Sequence, residues 1–159
     1  MQVQELGHLV LYVHDVARSA HFYREVLGWR QIAGFGIDGS HLTQAPIAVF
    51  SAPGGRTHHE LLLIEVGPDA AEQPAGRRVG LYHLGLKIGD DDAALVEAVE
   101  RLREAGATLV GASDHTVTHS LYIQDPDGNE IELYVDVPGV DWRNDPDLIM
   151  NPVRPLRLG

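Results

Sequence analysis

The sequence has no cysteine and few basic residues, and each shortage excludes a class of protein or site. Without cysteine, the chain forms no disulfide, no thiolate metal site and no cysteine nucleophile. Its 12 Lys and Arg face 23 Asp and Glu, and the net charge of −11 argues against nucleic acid or an anionic membrane as a partner. The sequence also lacks an apolar run of the roughly 20 residues that span a bilayer, and it lacks the start of a signal peptide. We therefore expect a cytoplasmic protein.

What the chain does contain is enough apolar sequence for a core and an unusual number of histidines. Hydrophobic residues make up 44% of the 159 residues. This composition suits one domain of about 150 residues, or two small modules that share a core. Nine histidines are many for this length, and they point towards metal or proton chemistry.

The chain consists of two similar halves. His8 precedes Glu60 by 52 residues, and His83 precedes Glu132 by 49. In each half the apolar pattern indicates a strand, then a helix, then three strands. We therefore predict an α+β fold of two βαβββ modules at residues 1–70 and 81–137, with a linker at 71–80 and an extended tail at 138–159. Since neither sheet could bury both of its faces alone, we expect the modules to pair around a cleft.

Strand alternation points to a candidate metal site in that cleft. The segment 129–135 alternates polar and apolar residues, which places Glu132 on the face opposite the apolar side chains. His8 and His83 take the corresponding face of their own strands, so the three side chains would converge if the halves pair. Two imidazoles and one carboxylate leave coordination positions open, a ligand set suited to non-haem Fe(II) or Mn(II).

Four motifs carry a resemblance to a known family. They are Gly7–Val13, Ser19–Gly28, Tyr82–Leu86 and the strand with its Asp-Pro-Asp-Gly turn, Asp125–Leu133. Together they span residues 6–136, and the sequence resembles the vicinal oxygen chelate superfamily. That superfamily contains glyoxalase I, antibiotic-resistance proteins and extradiol ring-cleaving dioxygenases. The resemblance implies paired βαβββ modules with a metal ion in the cleft between them.

The segment His58-His59-Glu60 separates two chemistries within the superfamily. Enzymes that resemble glyoxalase I take a fourth metal ligand from this strand, and Glu60 is the possible fourth ligand by repeat symmetry with Glu132. Extradiol dioxygenases instead carry a histidine here, and the resemblance implies that His59 acts as their acid–base group. Because neighbouring strand residues point to opposite faces, only one of His59 and Glu60 can face the metal. The pattern leaves both alternatives open.

Two further residues favour the dioxygenase by resemblance. Tyr122 lies ten residues before Glu132, the spacing at which extradiol enzymes carry a substrate-contacting tyrosine. His115 resembles a histidine that these enzymes place just outside the metal ligands. His119, by contrast, is expected to be a solvent or edge residue, as are His14, His21 and His41.

The resulting hypothesis is an Fe(II)-dependent extradiol (catechol 2,3-) dioxygenase that acts on a catechol-like diol with O2. The resemblance implies His8, His83 and Glu132 as metal ligands and His59, Tyr122 and His115 as catalytic residues. The alternatives are a glyoxalase I-like lyase or isomerase with Ni(II) or Zn(II), and a non-catalytic bleomycin-resistance-type binding protein, a kind that typically lacks the metal ligands.

Two features of assembly accompany that hypothesis. We expect a homodimer, because superfamily members often pair and open sheet edges invite pairing. Trp142 and the proline-bearing tail would close the cleft, contact a neighbouring subunit or pack on the surface.

Overall fold

The computed structural model describes residues 1–36 and 44–158, and it divides into two compact units, Met1–Gln73 and Pro74–Gly159. His41 lies outside the described residues. The longest described helix has 13 residues, and none in this part of the chain is long and apolar enough to cross a bilayer.

The first unit is a βαβββ module. Its elements are β1 (Leu9–Val13), α1 (Val16–His21), a π-helical turn (Phe22–Val26), β2 (Arg30–Phe35), β3 (Ile47–Ser51) and β4 (Leu61–Glu65). Asp15 caps α1 by accepting the N–H of Arg18 at 2.9 Å, a role that aspartate favours at a helix N-terminus. Gly28 follows the helical segment with a φ of +74°, a conformation that glycine adopts without strain. The strand order is β1-β4-β3-β2, with β1 parallel to β4.

The second unit repeats this order of elements. Its elements are β5 (His83–Gly89), α2 (Asp92–Glu104), β6 (Leu109–Asp114), β7 (Thr118–Gln124), β8 (Glu130–Asp136), a 3-10 helix (Pro146–Met150) and β9 (Arg154–Pro155). The strand order is β5-β8-β7-β6-β9, with β5 parallel to β8. The predicted α+β fold of βαβββ modules is therefore confirmed.

Each unit buries its own core between its sheet and its helix. In the first unit, α1 packs on β3 and β4, and the fully buried side chains include Tyr23, Phe50 and Leu63. In the second, α2 packs on β5, β7 and β8. The alternation predicted for β8 is confirmed, because the buried residues of that strand are its apolar ones, Ile131, Leu133 and Val135. The opposite face of β8 is consequently left for polar side chains.

Two predicted elements differ from those observed. The strand expected from His58 begins only at Leu61, because the preceding residues form a turn around the carboxylate of Glu60. The tail expected to run extended contains a 3-10 helix and the short strand β9, which pairs with the edge strand β6. Pro146 lies in the first turn of this 3-10 helix, a position that tolerates proline.

Candidate functional site

Four polar side chains form a row across the sheet of the second unit. His83 lies at the start of β5, Glu132 on β8 and Tyr122 on β7, in the order of neighbouring strands. Tyr122 is directly opposite Glu132 in the antiparallel register. His115 lies in the turn between β6 and β7 and completes the row. Strand register brings together His83, Glu132 and Tyr122, and the turn between β6 and β7 adds His115.

The row is connected by hydrogen bonds and by one close nitrogen–oxygen contact. The hydroxyl of Tyr122 donates to Oε1 of Glu132 at 3.2 Å, so its oxygen can accept from Nε2 of His115 at 2.7 Å. The other carboxylate oxygen of Glu132, Oε2, lies 3.2 Å from Nε2 of His83. Glu132 is thus held between Tyr122 on one side and His83 on the other.

Electrostatics keep Tyr122 protonated. Burial raises the pKa of its hydroxyl, and the charge and hydrogen bond of Glu132 raise it further. A tyrosine in this state remains a hydrogen-bond donor at neutral pH.

Glu130 is a site residue that sequence reasoning missed. It is opposite His83 in the parallel register, and its Oε1 lies 3.5 Å from Nδ1 of His83. Both atoms are buried and have no hydrogen-bond partner among the described residues. Its carboxylate also raises the pKa of Tyr82, first by its charge and then by a hydrogen bond. The available signal was its place two residues before Glu132, on the same face of the strand.

These donor types fit a divalent metal ion. An imidazole nitrogen of His83 and a carboxylate oxygen of Glu132 lie side by side, and both are ligands that Fe(II) and Mn(II) accept. A carboxylate beside the remote nitrogen of a ligating histidine orients the ring in many metal sites. Glu130 is positioned for that role.

The first unit gathers three histidines. The ring centroids of His8 and His59 lie 4.5 Å apart, and those of His8 and His58 lie 5.8 Å apart. Nδ1 of His58 and Nδ1 of His59 are separated by 2.5 Å. Burial lowers the pKa of His59, and the nearby His58 and His8 lower it further although Glu60 opposes them. His59 is therefore biased towards its neutral form, which can accept a proton.

Glu60 is engaged in a turn of the first unit. Its Oε2 accepts the backbone N–H of Ala52 at 3.1 Å, and its Oε1 accepts both the backbone N–H and the hydroxyl of Thr57 at 3.1 Å. Burial acts to raise the pKa of this carboxyl, but the hydrogen bonds outweigh burial and the pKa is lowered. A Cβ added at Gly55 would lie 2.5 Å from both carboxylate oxygens. The side chain thus organises the turn 52–57.

The expected symmetry of Glu60 with Glu132 is wrong by two residues. In the second sheet, His83 pairs with Glu130. In the first sheet, Leu9 pairs with Leu61, which places His8 beside Glu60 one residue earlier. Because His8 corresponds to His83, Glu60 corresponds to Glu130. The position that matches Glu132 is Leu62, which has no ligating atom. The similar spacings from His8 to Glu60 and from His83 to Glu132, 52 and 49 residues, did not reveal this shift because the loops of the two modules differ in length.

His119 is not the solvent or edge residue expected from the sequence. Its side chain is only 19% exposed, and its Nδ1 lies 2.6 Å from Oδ1 of Asp92 at the start of α2. Its Nε2 lies 3.7 Å from Oδ1 of Asp114 at the end of β6. His14 likewise has partners, the carbonyl oxygen of Ala70 and the carboxylate of Glu72. Both histidines take part in structural contacts.

The remaining site predictions fall on different units. His8, His59 and Glu60 belong to the first unit, and His83, His115, Tyr122 and Glu132 belong to the second. The structure brings the second group together on one sheet. The meeting of His8 with His83 and Glu132 stays a prediction.

Comparison with known proteins identifies the family. The Glyoxalase/Bleomycin resistance protein/Dioxygenase superfamily matches residues 5–133, and the chain belongs to this superfamily. A structure of a glyoxylase/bleomycin resistance protein/dioxygenase domain from Frankia sp. EAN1pec has a TM-score of 0.69 and 23% identity, and the match covers 85% of this chain and 99% of that one. This likeness shows the fold.

Two relatives represent the two chemistries separated above. The catechol-2,3-dioxygenase of Bacillus subtilis is 34% identical over 140 residues, which are 88% of this chain and 44% of that protein. The chain therefore spans less than half the length of this relative. The lactoylglutathione lyase of Neisseria meningitidis serogroup A is 29% identical over 139 residues, which are 86% of this chain and 94% of the lyase.

Proposed function

We propose that the protein is an Fe(II)-dependent extradiol dioxygenase that cleaves the ring of a catechol-like diol with O2. The observation that carries the proposal is the connected row of His115, Tyr122, Glu132 and His83 on one sheet face. The similarity to a catechol-2,3-dioxygenase supports it.

In this proposal His83 and Glu132 would hold the metal ion, and His8 would be the third ligand. Fe(II) would supply a Lewis-acid centre with open positions for the diol and O2. Glu130, whose Oε1 lies 3.5 Å from Nδ1 of His83, would orient that ring in the metal-bound protein. Three protein ligands leave room for a substrate that chelates through two oxygens.

Tyr122 and His115 position the diol. The hydroxyl of Tyr122 donates its one proton to Glu132, and a substrate oxygen bound beside that carboxylate would take over this hydrogen bond. His115 fixes the hydroxyl from the other side at 2.7 Å. The raised pKa of Tyr122 keeps the proton on the tyrosine, which suits it to bind an ionised substrate oxygen.

His59 is the proposed acid–base group. Its lowered pKa favours a neutral imidazole at neutral pH, and a neutral imidazole can take the proton of the bound diol. Nδ1 of His58 lies 2.5 Å from Nδ1 of His59, so His58 is placed to receive or return that proton.

A glyoxalase I-like lyase is the second candidate, favoured by the similarity to the lactoylglutathione lyase. That chemistry would use Ni(II) or Zn(II) with Glu60 as a fourth ligand. Two observations weigh against it. Both oxygens of Glu60 already accept hydrogen bonds in the turn 52–57, and Leu62 occupies the position that matches Glu132.

The deciding experiment compares two reconstituted forms of the protein. Protein loaded with Fe(II) without oxygen, then given 4-methylcatechol and O2, should produce the yellow ring-cleavage product. Protein loaded with Ni(II) and given a hemithioacetal should show no isomerisation. Glu132→Gln should lose both iron and turnover, whereas Glu97→Gln, exposed on α2, should keep both. Isomerisation with Ni(II) in the absence of ring cleavage would establish the lyase, and failure to bind either metal would favour a non-catalytic binding protein.

A further inference from the structure

The chain after β8 crosses the same sheet face that carries Glu132. It leaves β8 at Asp136 and next pairs with the sheet at β9, beyond β6. Residues 137–153 must therefore pass both β7 and β6. Trp142 and Ile149 from this segment line a cavity together with Glu132, Tyr134 and Asp136, so the crossing lies on the face of the candidate site. We call residues 137–153 the crossing segment.

The cavity under the crossing segment is small and elongated along β8. Its volume is about 230 Å³, and Val117 and Thr118 complete its described lining. This volume is below the roughly 300 Å³ at which pockets for drug-sized ligands begin. Glu132 and Asp136 are four residues apart on one strand, a distance of about 13 Å. A single ring with a short substituent fits these dimensions.

Charge in the cavity disfavours an anionic substituent. None of its described lining residues is basic, and Asp136 contributes a carboxylate at the end remote from Glu132. Nζ of Lys87 lies 2.7 Å from that carboxylate and also contacts Asp90. The lysine is therefore already ion-paired with these two carboxylates. Trp142, Ile149 and Val117 contribute apolar side chains to the lining. A substituent that enters the cavity is therefore best uncharged and apolar.

Trp142 is held in place by its neighbour. The guanidinium of Arg143 lies 4.2 Å from the centroid of the indole ring, a stacking that stabilises the ring orientation. The cavity wall thus has a fixed aromatic surface against which a substrate ring can pack.

We propose that the crossing segment is the specificity wall of the site, with Trp142 and Ile149 binding a short, uncharged ring substituent of the catechol. The inference rests on the proposed function, because it places the diol at Glu132. It names the substrate class as single-ring catechols with alkyl substituents, in preference to carboxylated catechols.

The test measures kcat/KM of the Fe(II)-loaded full chain for catechol, 4-methylcatechol and 3,4-dihydroxybenzoate. Wild type should prefer 4-methylcatechol. Trp142→Ala should lower its preference for 4-methylcatechol over catechol about tenfold, mainly through KM, while Trp142→Phe should retain most of it. Met150→Ala, on the same 3-10 helix as Ile149 but outside the cavity lining, should change nothing. Asp136→Asn should improve the relative use of 3,4-dihydroxybenzoate about tenfold.

Binding without oxygen separates this inference from the proposed function. Calorimetric titration of the Fe(II)-loaded protein with 4-methylcatechol needs no turnover. If wild type binds it but never cleaves it, the dioxygenase proposal fails; weaker binding by Trp142→Ala would still support the specificity wall. Equal affinity in wild type and Trp142→Ala, or a wild-type preference for 3,4-dihydroxybenzoate, would overturn the inference.

Discussion

Replacing Glu60 by glutamine tests whether this side chain organises a turn or binds the metal. Glutamine keeps the shape and one acceptor, so the two hydrogen bonds from Thr57 can persist. The amide nitrogen that replaces Oε2 cannot accept the N–H of Ala52, now bonded at 3.1 Å. A hydrogen bond to a charged group contributes about 1.5–3 kcal/mol, and partial exposure of Glu60 favours the lower half of that range. We expect a loss of about 2 kcal/mol in the free energy of unfolding, or about 4–8 °C in Tm.

The assay is unfolding of the metal-free protein by heat and by urea, followed by anaerobic titration with Fe(II). Glu97→Gln on the exposed face of α2 is the matched control, and it should change stability by less than about 0.5 kcal/mol. Metal affinity of Glu60→Gln should equal that of wild type. Unchanged stability combined with a tenfold or greater loss of metal affinity would refute the reasoning and make Glu60 a ligand.

The same substitution has a defined pH dependence. The folded-state pKa of Glu60 is lowered, so its stabilising contribution is complete above the unfolded-state pKa of about 4.3. The contribution disappears as the pH falls through the folded-state pKa. The difference in stability between wild type and Glu60→Gln should therefore be constant near pH 7 and shrink below about pH 4.

Three further substitutions test the turn and the catalytic groups. Gly55→Ala should destabilise by about 1–3 kcal/mol in urea unfolding, because its Cβ would lie 2.5 Å from the anchored carboxylate of Glu60. Gly54→Ala should not destabilise the protein, because nothing lies within 4 Å of its Cβ. In a Glu60→Ala background, Gly55→Ala should have no effect on stability. Tyr122→Phe should lower kcat about 10- to 150-fold in ring-cleavage assays with unchanged iron affinity; lost iron with normal kcat would contradict this. In wild type, the acidic limb of the pH profile of kcat/KM should lie below about pH 6.5, because the pKa of His59 is lowered. His59→Gln should abolish this limb. An unaltered limb would exclude His59 as the base.

Local sequence patterns were sufficient for most of the fold. The alternation in β8 predicted which of its residues are buried, and Ile131 and Val135 are fully inaccessible. Asp15 and Asp91 cap the N-termini of the two helices, which follow the first strand of each half as predicted. These features depend on interactions between residues a few positions apart, which is why periodicity and capping reveal them.

Alternation in the sequence also placed His83 and Glu132 on the polar faces of their strands, and the family resemblance singled out Tyr122; that these residues form a functional site stays a prediction. Only the tertiary structure decided how individual polar groups are used. The carboxylate of Glu60 accepts backbone N–H groups of a turn, and a turn has no periodic pattern in the sequence. Strand register shows that the residue corresponding to Glu60 in the second unit is Glu130. Trp142 lines the same cavity as Glu132 because the chain returns across the sheet to pair with β6. Spacing along the chain identifies the side chains present on a face, whereas loop conformation and register determine the atoms that each one meets.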